Sequence, residues 1–458
     1  QLQKDFYMAK EYLSSNRQQA YLLPPSIDEW LPKEHLARFI VEIVKELDLS
    51  NIHKGYGGQG GSKAYHPEVL LSLLFYGYAT GVFSSRKIER ATYDSVAFRY
   101  IAANTHPDHD TIATFRKRFL AELESLFVQI LMVAQSAGVL KVGKVSLDGT
   151  KIKANASKHK ALSYAYANKL QEQLEAEVRT LMQKAEEADN EDANDGMDIP
   201  EELLRREDRL KVIKEAKKQI EQRAKERYET DKALYDEKIK KRETQEKTSG
   251  KKPKGKVPKE PVNEPKPTDQ INLTDNESRI MKTSGGGFEQ CYNAQASVEH
   301  ESRLITHNHV TQNTNDKQEI AQTLQWFKNY PELKPPSLLA DAGYFSEHNI
   351  HQCENSGVIP YISFGKDQHN QPLEQRFKAE EPLPENPTVV EKMKHRLQTK
   401  EGKQIYAQRK STVEPTFGVI KHVMGFRQFM LRGFEKAKGE WNLICIAYNL
   451  KRLHTIRG

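Results

Sequence analysis

Two long stretches in the middle of the chain, LSYAYANKLQEQLEAEVRTLMQKA and LLRREDRLKVIKEAKKQIEQRAKERYETDKALYDEKIKK, are highly charged and contain no glycine. Leu170, Leu174, Val178 and Leu181 form an apolar stripe in the first; Leu210, Ile213, Ile220, Ala224, Tyr228, Tyr235 and Ile239 form one in the second, at helical spacing. The acidic stretch at 189–200, with its Gly196 and Pro200, separates them, so the pattern predicts an antiparallel helical hairpin. SGKKPKGKVPKEPVNEPKPTDQ follows, a Lys/Pro-rich linker too polar to form a core. Residues 160–270 thus read as an insertion, which explains why only 37% of the 458 residues are hydrophobic although the chain is long enough for two or three domains.

Charge is equally uneven. Residues 185–202 carry nine acids and no base; setting them aside turns the formal +7 into +16 for the rest. From Glu391 onward fifteen Lys/Arg face five Asp/Glu, a local excess of +10. Such a surface attracts a polyanion by counterion release, nucleic acid being the usual one; ordinary solvated lysines are the alternative. No window has the roughly 18 uninterrupted apolar residues of a membrane span, and QLQKDFYMAKEYLSSN lacks a signal-peptide core, so no membrane partner and a cytoplasmic location are expected. Cys291, Cys353 and Cys445 lie far apart without a CxxC pair and read as small buried hydrophobes.

The first 140 residues read as helical. HPEVLLSLLFYGYATG has Pro67 in its first turn, Ser84 or Ser85 is positioned to cap RKIERATYDSVAFRYIAA, and Asp110 to cap one long helix, TIATFRKRFLAELESLFVQILMVAQSA, ending at Gly138. Arg116, Lys117 and Arg118 near its start are placed to touch a phosphate backbone or to remain solvated. GYGGQG at 55–60 formally matches G-x-G-x-x-G, but no strand precedes it and no helix follows, so it is read as a loop.

Around the insertion the pattern becomes strand-like: VGKVSLD, then YNAQASVEH and RLITHNHVTQ as a hairpin, a helix DKQEIAQTLQWFKNY, then SLLAD and GVIPYISF. Three early antiparallel strands followed by alternating helix and strand imply a mixed sheet covered by helices. Asp148 in VSLDGTKIKA and Asp341 in LLADAGYFS each end an apolar run before a glycine-containing turn. Sheet-strand ends are where α/β folds place functional groups, although either aspartate alone reads equally as a turn or cap residue. Glu414 in IYAQRKSTVEPTFGVIKHVMGFRQF sits on an apolar helical segment, on the stripe expected to face the core, with Lys421 two turns along the same face. A buried acid needs a partner, and two aspartates with a metal supply one.

In SLDGTKIKANAS, DQINLTDNESRIMKTSGGGFEQCYNAQASV, ADAGYFS and RKSTVEPTFGVIKH, followed by RGFEKAKGEWNLICIAYNLKRL, the chain resembles the DDE transposases of bacterial insertion sequences over most of its length. The resemblance implies an α/β fold: a ribonuclease H-like mixed sheet with helices, an N-terminal all-helical domain and the long helical-hairpin insertion after the first strand. It divides the chain into a DNA-binding domain at 1–140, the first core strand at 141–159, the insertion and linker at 160–270, and the remaining catalytic core at 271–458. It implies that Asp148, Asp341 and Glu414 are catalytic and hold two Mg²⁺ or Mn²⁺ ions, and that Lys421, Arg409 and Tyr406 contact DNA, with Lys151 and Lys153 adding to that surface. Four residues rather than three separate Arg409 from Glu414, a departure from the Y-x2-R-x3-E-x6-K signature of related transposases. The expected partners are double-stranded DNA, as transposon ends and target, and a second copy of the chain in a synaptic dimer. The competing readings are a catalytically inactive transposase-derived DNA-binding protein and a coiled-coil scaffold built on the insertion.

Overall fold

The computed structural model describes residues 26–56, 64–190, 199–250, 255–283, 285–365 and 382–457. The start of the chain, most of GYGGQG, most of the acidic hairpin tip and the KKPK of the linker lie outside them. The sheet is built around β1 (Val145–Lys153), with two strands joining the hairpin base, β2 (Ala161–Ser163) and β3 (Gln270–Asn272). Then follow β4 (Arg279–Lys282), β5 (Phe288–Glu299), β6 (Ile305–Thr311), β7 (Ser337–Ala340) and β8 (Ile359–Ile362). β5 runs antiparallel to β1 along its whole length, from Val145 opposite Glu299 to Lys153 opposite Cys291. On its other edge β5 pairs antiparallel with β6 and, further toward its start, with β4. β7 lies parallel to β1, Ser146 opposite Leu339, and β8 parallel to β7. The order is therefore β6-β5-β1-β7-β8 with β4 extending the β6 edge, a mixed sheet.

Side chains alternate across a strand, so the two sheet faces can be assigned from their packing. Val145 and Leu147 pack with Leu338 and Ala340 against Ile320 and Leu324 of helix Glu319–Asn329 and Ile350 of helix Glu347–Asn355. Ile152, Tyr292, Ala294, Ala296 and Val298 face the opposite way, into one core shared with the N-terminal helices and the C-terminal helix Phe434–Arg457. The three cysteines are buried and free, as expected.

The N-terminal helices therefore have no core of their own. Helix Pro67–Ala79 packs on the C-terminal helix, where Tyr78 Oη donates to Glu440 Oε1 at 2.6 Å. The single long helix expected after Asp110 is instead two, His109–Arg118 and Glu122–Ser136, meeting at 82°. Asp108 caps the first, accepting from the Thr111 N–H at 2.8 Å. At the bend Leu120 lies against Gly439, whose missing Cβ would come within 2.8 Å of it. Arg116 is buried, donating to Tyr78 Oη and the Phe83 carbonyl, so it does not present the phosphate contact considered above. Among the described residues no single helix is long and apolar enough to cross a membrane; the one bent pair that passes on length and composition is this same pair, packed in the core.

Helices Tyr164–Asn190 and Ile199–Ser249 pair antiparallel: Tyr164 meets Glu221, Glu175 meets Lys214 and Glu177 meets Arg206. Leu170, Leu174, Ile213, Ala216 and Ile220 fill the seam, closed at its base by Leu162 of β2 and Ile271 of β3. Beyond Ala224 the stripe is only half-buried. There the Lys/Pro-rich return segment is tied to the helix by Lys232–Glu260 at 2.8 Å and by a two-pronged Arg227–Asp269 pair at 2.9 Å. Ion pairs with exposed members contribute little, so this outer half is held far less firmly than the base.

Candidate active site

β7 ends one residue before Asp341, and its register with β1 brings Asp341 alongside Asp148 on neighbouring parallel strands. Leu147 points into the core under helix Glu319–Asn329, so Asp148 projects from the other face, toward the C-terminal arm. Beyond Ser146 the β1 edge is free of β7. It is taken up again only at Lys153, where residues 427–429 dock: Lys153 N–H donates to the Arg427 carbonyl and Phe429 N–H to the Lys153 carbonyl. Asp148 lies in the gap between these partners, in the middle of β1 and not at its end before a turn as expected, because the chain after it continues to pair with β5 as far as Lys153.

Asp148 is mostly buried, with 19% of its side chain exposed. Its Oδ1 accepts the Gly149 N–H at 2.8 Å and its Oδ2 accepts from Arg409 Nη1 at 3.2 Å. Burial, then the neighbouring Asp341, push its carboxyl up to about 7, against the pull of Arg409 and the Gly149 N–H. Asp341 caps its own turn, accepting from the Gly343 N–H at 2.8 Å.

Glu414 lies at the start of helix Val413–Gly418, on a different side from that expected. Val413, Thr416 and Phe417 take the core-facing positions, and the Glu414 carboxylate is 54% exposed. It faces the site, where Arg409 Nη2 lies 3.6 Å from its Oε1. Arg409 therefore touches the first and third carboxylates at once. It is itself 8% exposed, its Nε lacks a partner, and although burial opposes its charge, Tyr406 and the three carboxylates raise its pKa. The turn at 408–412 between helices Lys400–Ala407 and Val413–Gly418 lets it reach both acids.

Immediately after the Glu414 helix the backbone widens into a π turn, Val419–Val423, which carries Lys421. Lys421 Nζ donates to the Lys151 carbonyl at 3.4 Å, binding this turn to β1; burial lowers its pKa. Lys153 is about half exposed and pairs with Glu289 at 3.1 Å. Lys151, like Lys153 an odd number of residues from Asp148 along β1, points to the face opposite Asp148, where its ammonium lies 3.6 Å from Asp316.

The sequence reading missed the polar cradle on that opposite face. Asp316 Oδ1 accepts from Asn293 Nδ2 and Gln295 Nε2, each at 2.7 Å; Gln295 Oε1 in turn accepts from the buried Tyr344 hydroxyl, three residues past Asp341. Asn313 Nδ2 links the same region to Glu319, which also meets His309 at 2.8 Å. The signal was present in β5: Asn293 and Gln295 alternate on a fully buried central strand, which is costly unless both amides are satisfied.

Among the described residues no three His, Cys, Asp or Glu side chains stand close enough to form a ready cation cage. The donor chemistry nonetheless suits a divalent cation. Hard carboxylate oxygens line the gap, and the buried Asp148 beside Asp341 has too little positive charge near it. Comparison with protein-family models finds two matches: residues 256–450 with a transposase DDE domain and residues 25–118 with a transposase domain. Asp341 and Glu414 fall inside the first; Asp148 falls in neither, on the far side of the hairpin insertion. No curated protein and no solved structure matches the chain.

Proposed function

The chain belongs to the DDE-type transposases of insertion sequences, and from that membership we propose that it binds the terminal repeats of its element, cleaves DNA phosphodiesters and transfers the freed 3′ end to target DNA. The observation that carries the reading is the convergence of Asp148, Asp341 and Glu414: Asp148 in the middle of β1 beside Asp341 at the end of β7, and a glutamate joined to the first through Arg409. We take these three as the catalytic carboxylates. The strand order, three antiparallel strands continued by two parallel ones, supports a ribonuclease H-like core. The N-terminal helices and the insertion are assigned to DNA-end recognition and assembly, and a pair of chains to the two ends.

Asp148, Asp341 and Glu414 would hold two Mg²⁺ or Mn²⁺ ions, which supply the charge neutralisation and nucleophile activation that displacement at phosphorus requires. The residues themselves divide the remaining tasks. Asp148, whose carboxyl is pushed up to about 7, would be held ionised by a cation beside it. Arg409 shares its single charge between Asp148 and Glu414 in the resting chain, and its fork is suited to a DNA phosphate once those acids are otherwise engaged. We assign Tyr406, beside Arg409, together with Lys421 and Lys153, both next to β1, to the surface that meets DNA.

The test is direct. Full-length protein is incubated with Mg²⁺ and a linear duplex carrying the DNA that borders its gene. The expected result is a cut at the element boundary leaving a 3′-OH, lost with EDTA and in Asp341→Asn protein. A chain that binds this duplex but never cuts it in Mg²⁺ or Mn²⁺ is a transposase-derived binder instead.

A further inference from the structure

The three carboxylates stand on one face of the sheet, and Asp316 stands directly behind them. It precedes helix Glu319–Asn329 and reaches the strand at Gly149. A Cβ built there would lie 2.7 Å from Asp316 Oδ1 and 2.2 Å from Gln295 Nε2. The glycine after the first aspartate is thus required because the Asp316 cradle fills the space where a side chain would stand. A Cβ at Gly343, after the second aspartate, would lie 3.8 Å from Asp316 Oδ2. One carboxylate therefore abuts both the strand that carries Asp148 and the turn that follows Asp341.

Its bonding is lopsided. Oδ1 takes two amide donors, from Asn293 and Gln295, and these tie it to β5 and, through Tyr344, to the Asp341 turn. The Lys151 ammonium is buried and has no hydrogen-bond partner; its nearest opposite charge is Asp316 at 3.6 Å, beyond hydrogen-bond length. Lys151 sits three residues from Asp148 on the same strand, with its charge cancelled across that gap. In low dielectric an uncancelled ammonium at this position would repel any cation entering beside Asp148.

We propose that Asp316 is a positioning residue of the carboxylate site: it fixes β1 at Gly149 and the Asp341 turn against β5 and cancels the charge of Lys151, leaving Asp148 and Asp341 free for a divalent cation. This rests on the reading of those aspartates as cation ligands. Asp316 lies behind the strand and touches no reacting atom, and supporting groups of this kind commonly change metal affinity by roughly 10- to 100-fold.

The test uses full-length protein without DNA and Mn²⁺ followed by electron paramagnetic resonance, with circular dichroism as the control for folding. Asp316→Asn keeps an oxygen acceptor for the amides and removes the charge; it should bind Mn²⁺ at least tenfold more weakly while remaining folded. Adding Lys151→Met to that variant removes the uncancelled ammonium and should recover most of the affinity, which a purely structural role would not allow. Asp316→Asn protein with wild-type affinity, or a double variant no better than the single one, overturns the proposal. Asp148→Ala serves as the reference. If it too binds Mn²⁺ like the wild type, the cation site itself is misassigned, a failure distinct from that of Asp316 alone.

Discussion

Two of the carboxylates largely withdrawn from solvent in this chain, Glu440 and Asp148, have opposite outcomes. Glu440, in the junction between the N-terminal helices and the C-terminal helix, is fully enclosed. Its Oε1 accepts from Tyr78, which Arg116 also engages, and its Oε2 accepts the N–H groups of Met430 and Leu431 at 2.8 and 3.0 Å. Asp148 accepts one N–H from its own neighbour and one arm of Arg409, and shares its surroundings with another acid. Burial pushes both pKa values up. The difference lies in completeness. Around Glu440 both oxygens are engaged and the network joins helices to the loop docked on β1, whereas around Asp148 negative charge outweighs its partners. A buried acid marks a structural joint when its network closes and a chemical site when it is left open.

The strongest challenge to this contrast is Glu440→Ala. It leaves the buried Tyr78 hydroxyl and the Met430 and Leu431 N–H groups without their acceptor and removes the charge that faces Arg116, so chemical denaturation should show a loss of about 3–5 kcal/mol. A loss under about 1 kcal/mol would mean that the junction is not closed in the sense argued.

Asp148→Asn should behave in the opposite way. A carboxyl raised to about 7 in the folded chain, from an ordinary value near 3.8, is protonated in the native state while ionised in the unfolded one. The residue therefore withdraws stability as pH rises from about 4 to about 7, by at most about 4 kcal/mol, and its effect is flat above that. Asp148→Asn protein should lose this slope and be at least as stable as wild type at pH 8. Denaturation midpoints across pH 4 to 8 decide it, and identical slopes in the two proteins would count against the open-site account.

Gly149→Ala sharpens the comparison at smaller scale, because its methyl group collides with Gln295 and Asp316 behind the strand. An overpacking cost of about 1–3 kcal/mol is expected in the same denaturation assay. Smaller still, Lys214→Ala breaks an exposed pair with Glu175 in the hairpin and should change stability by no more than about 0.5 kcal/mol.

Much of this site was legible in the sequence. Asp148 and Asp341 each follow an apolar run; β7 ends beside Asp341 as its run predicts, whereas β1 does not stop at Asp148 but continues to Lys153, because the polar stretch after it pairs with β5. Glu414 was legible as a residue but not in its orientation, since helical spacing gives a period and not which side meets the core. Asp316 in QNTNDK looks like any polar turn, and its importance comes from Gly149 and from amides more than twenty positions earlier in the chain. The 82° bend was hidden for a similar reason: the apolar pattern runs unbroken from Phe115 to Val133, and at the bend Leu120 packs on Gly439, more than three hundred residues away. Local periodicity records what a segment buries, whereas the partner that bends or braces it is a tertiary fact.

The most direct test of the open-site claim is DNA cleavage in Mg²⁺ by Asp148→Asn and Glu440→Gln proteins, each first shown to be folded at the assay temperature. The account predicts that Asp148→Asn loses cleavage by on the order of a thousandfold while fully folded, and that Glu440→Gln retains the activity its folded fraction allows. Cleavage at the wild-type rate by folded Asp148→Asn protein would contradict it.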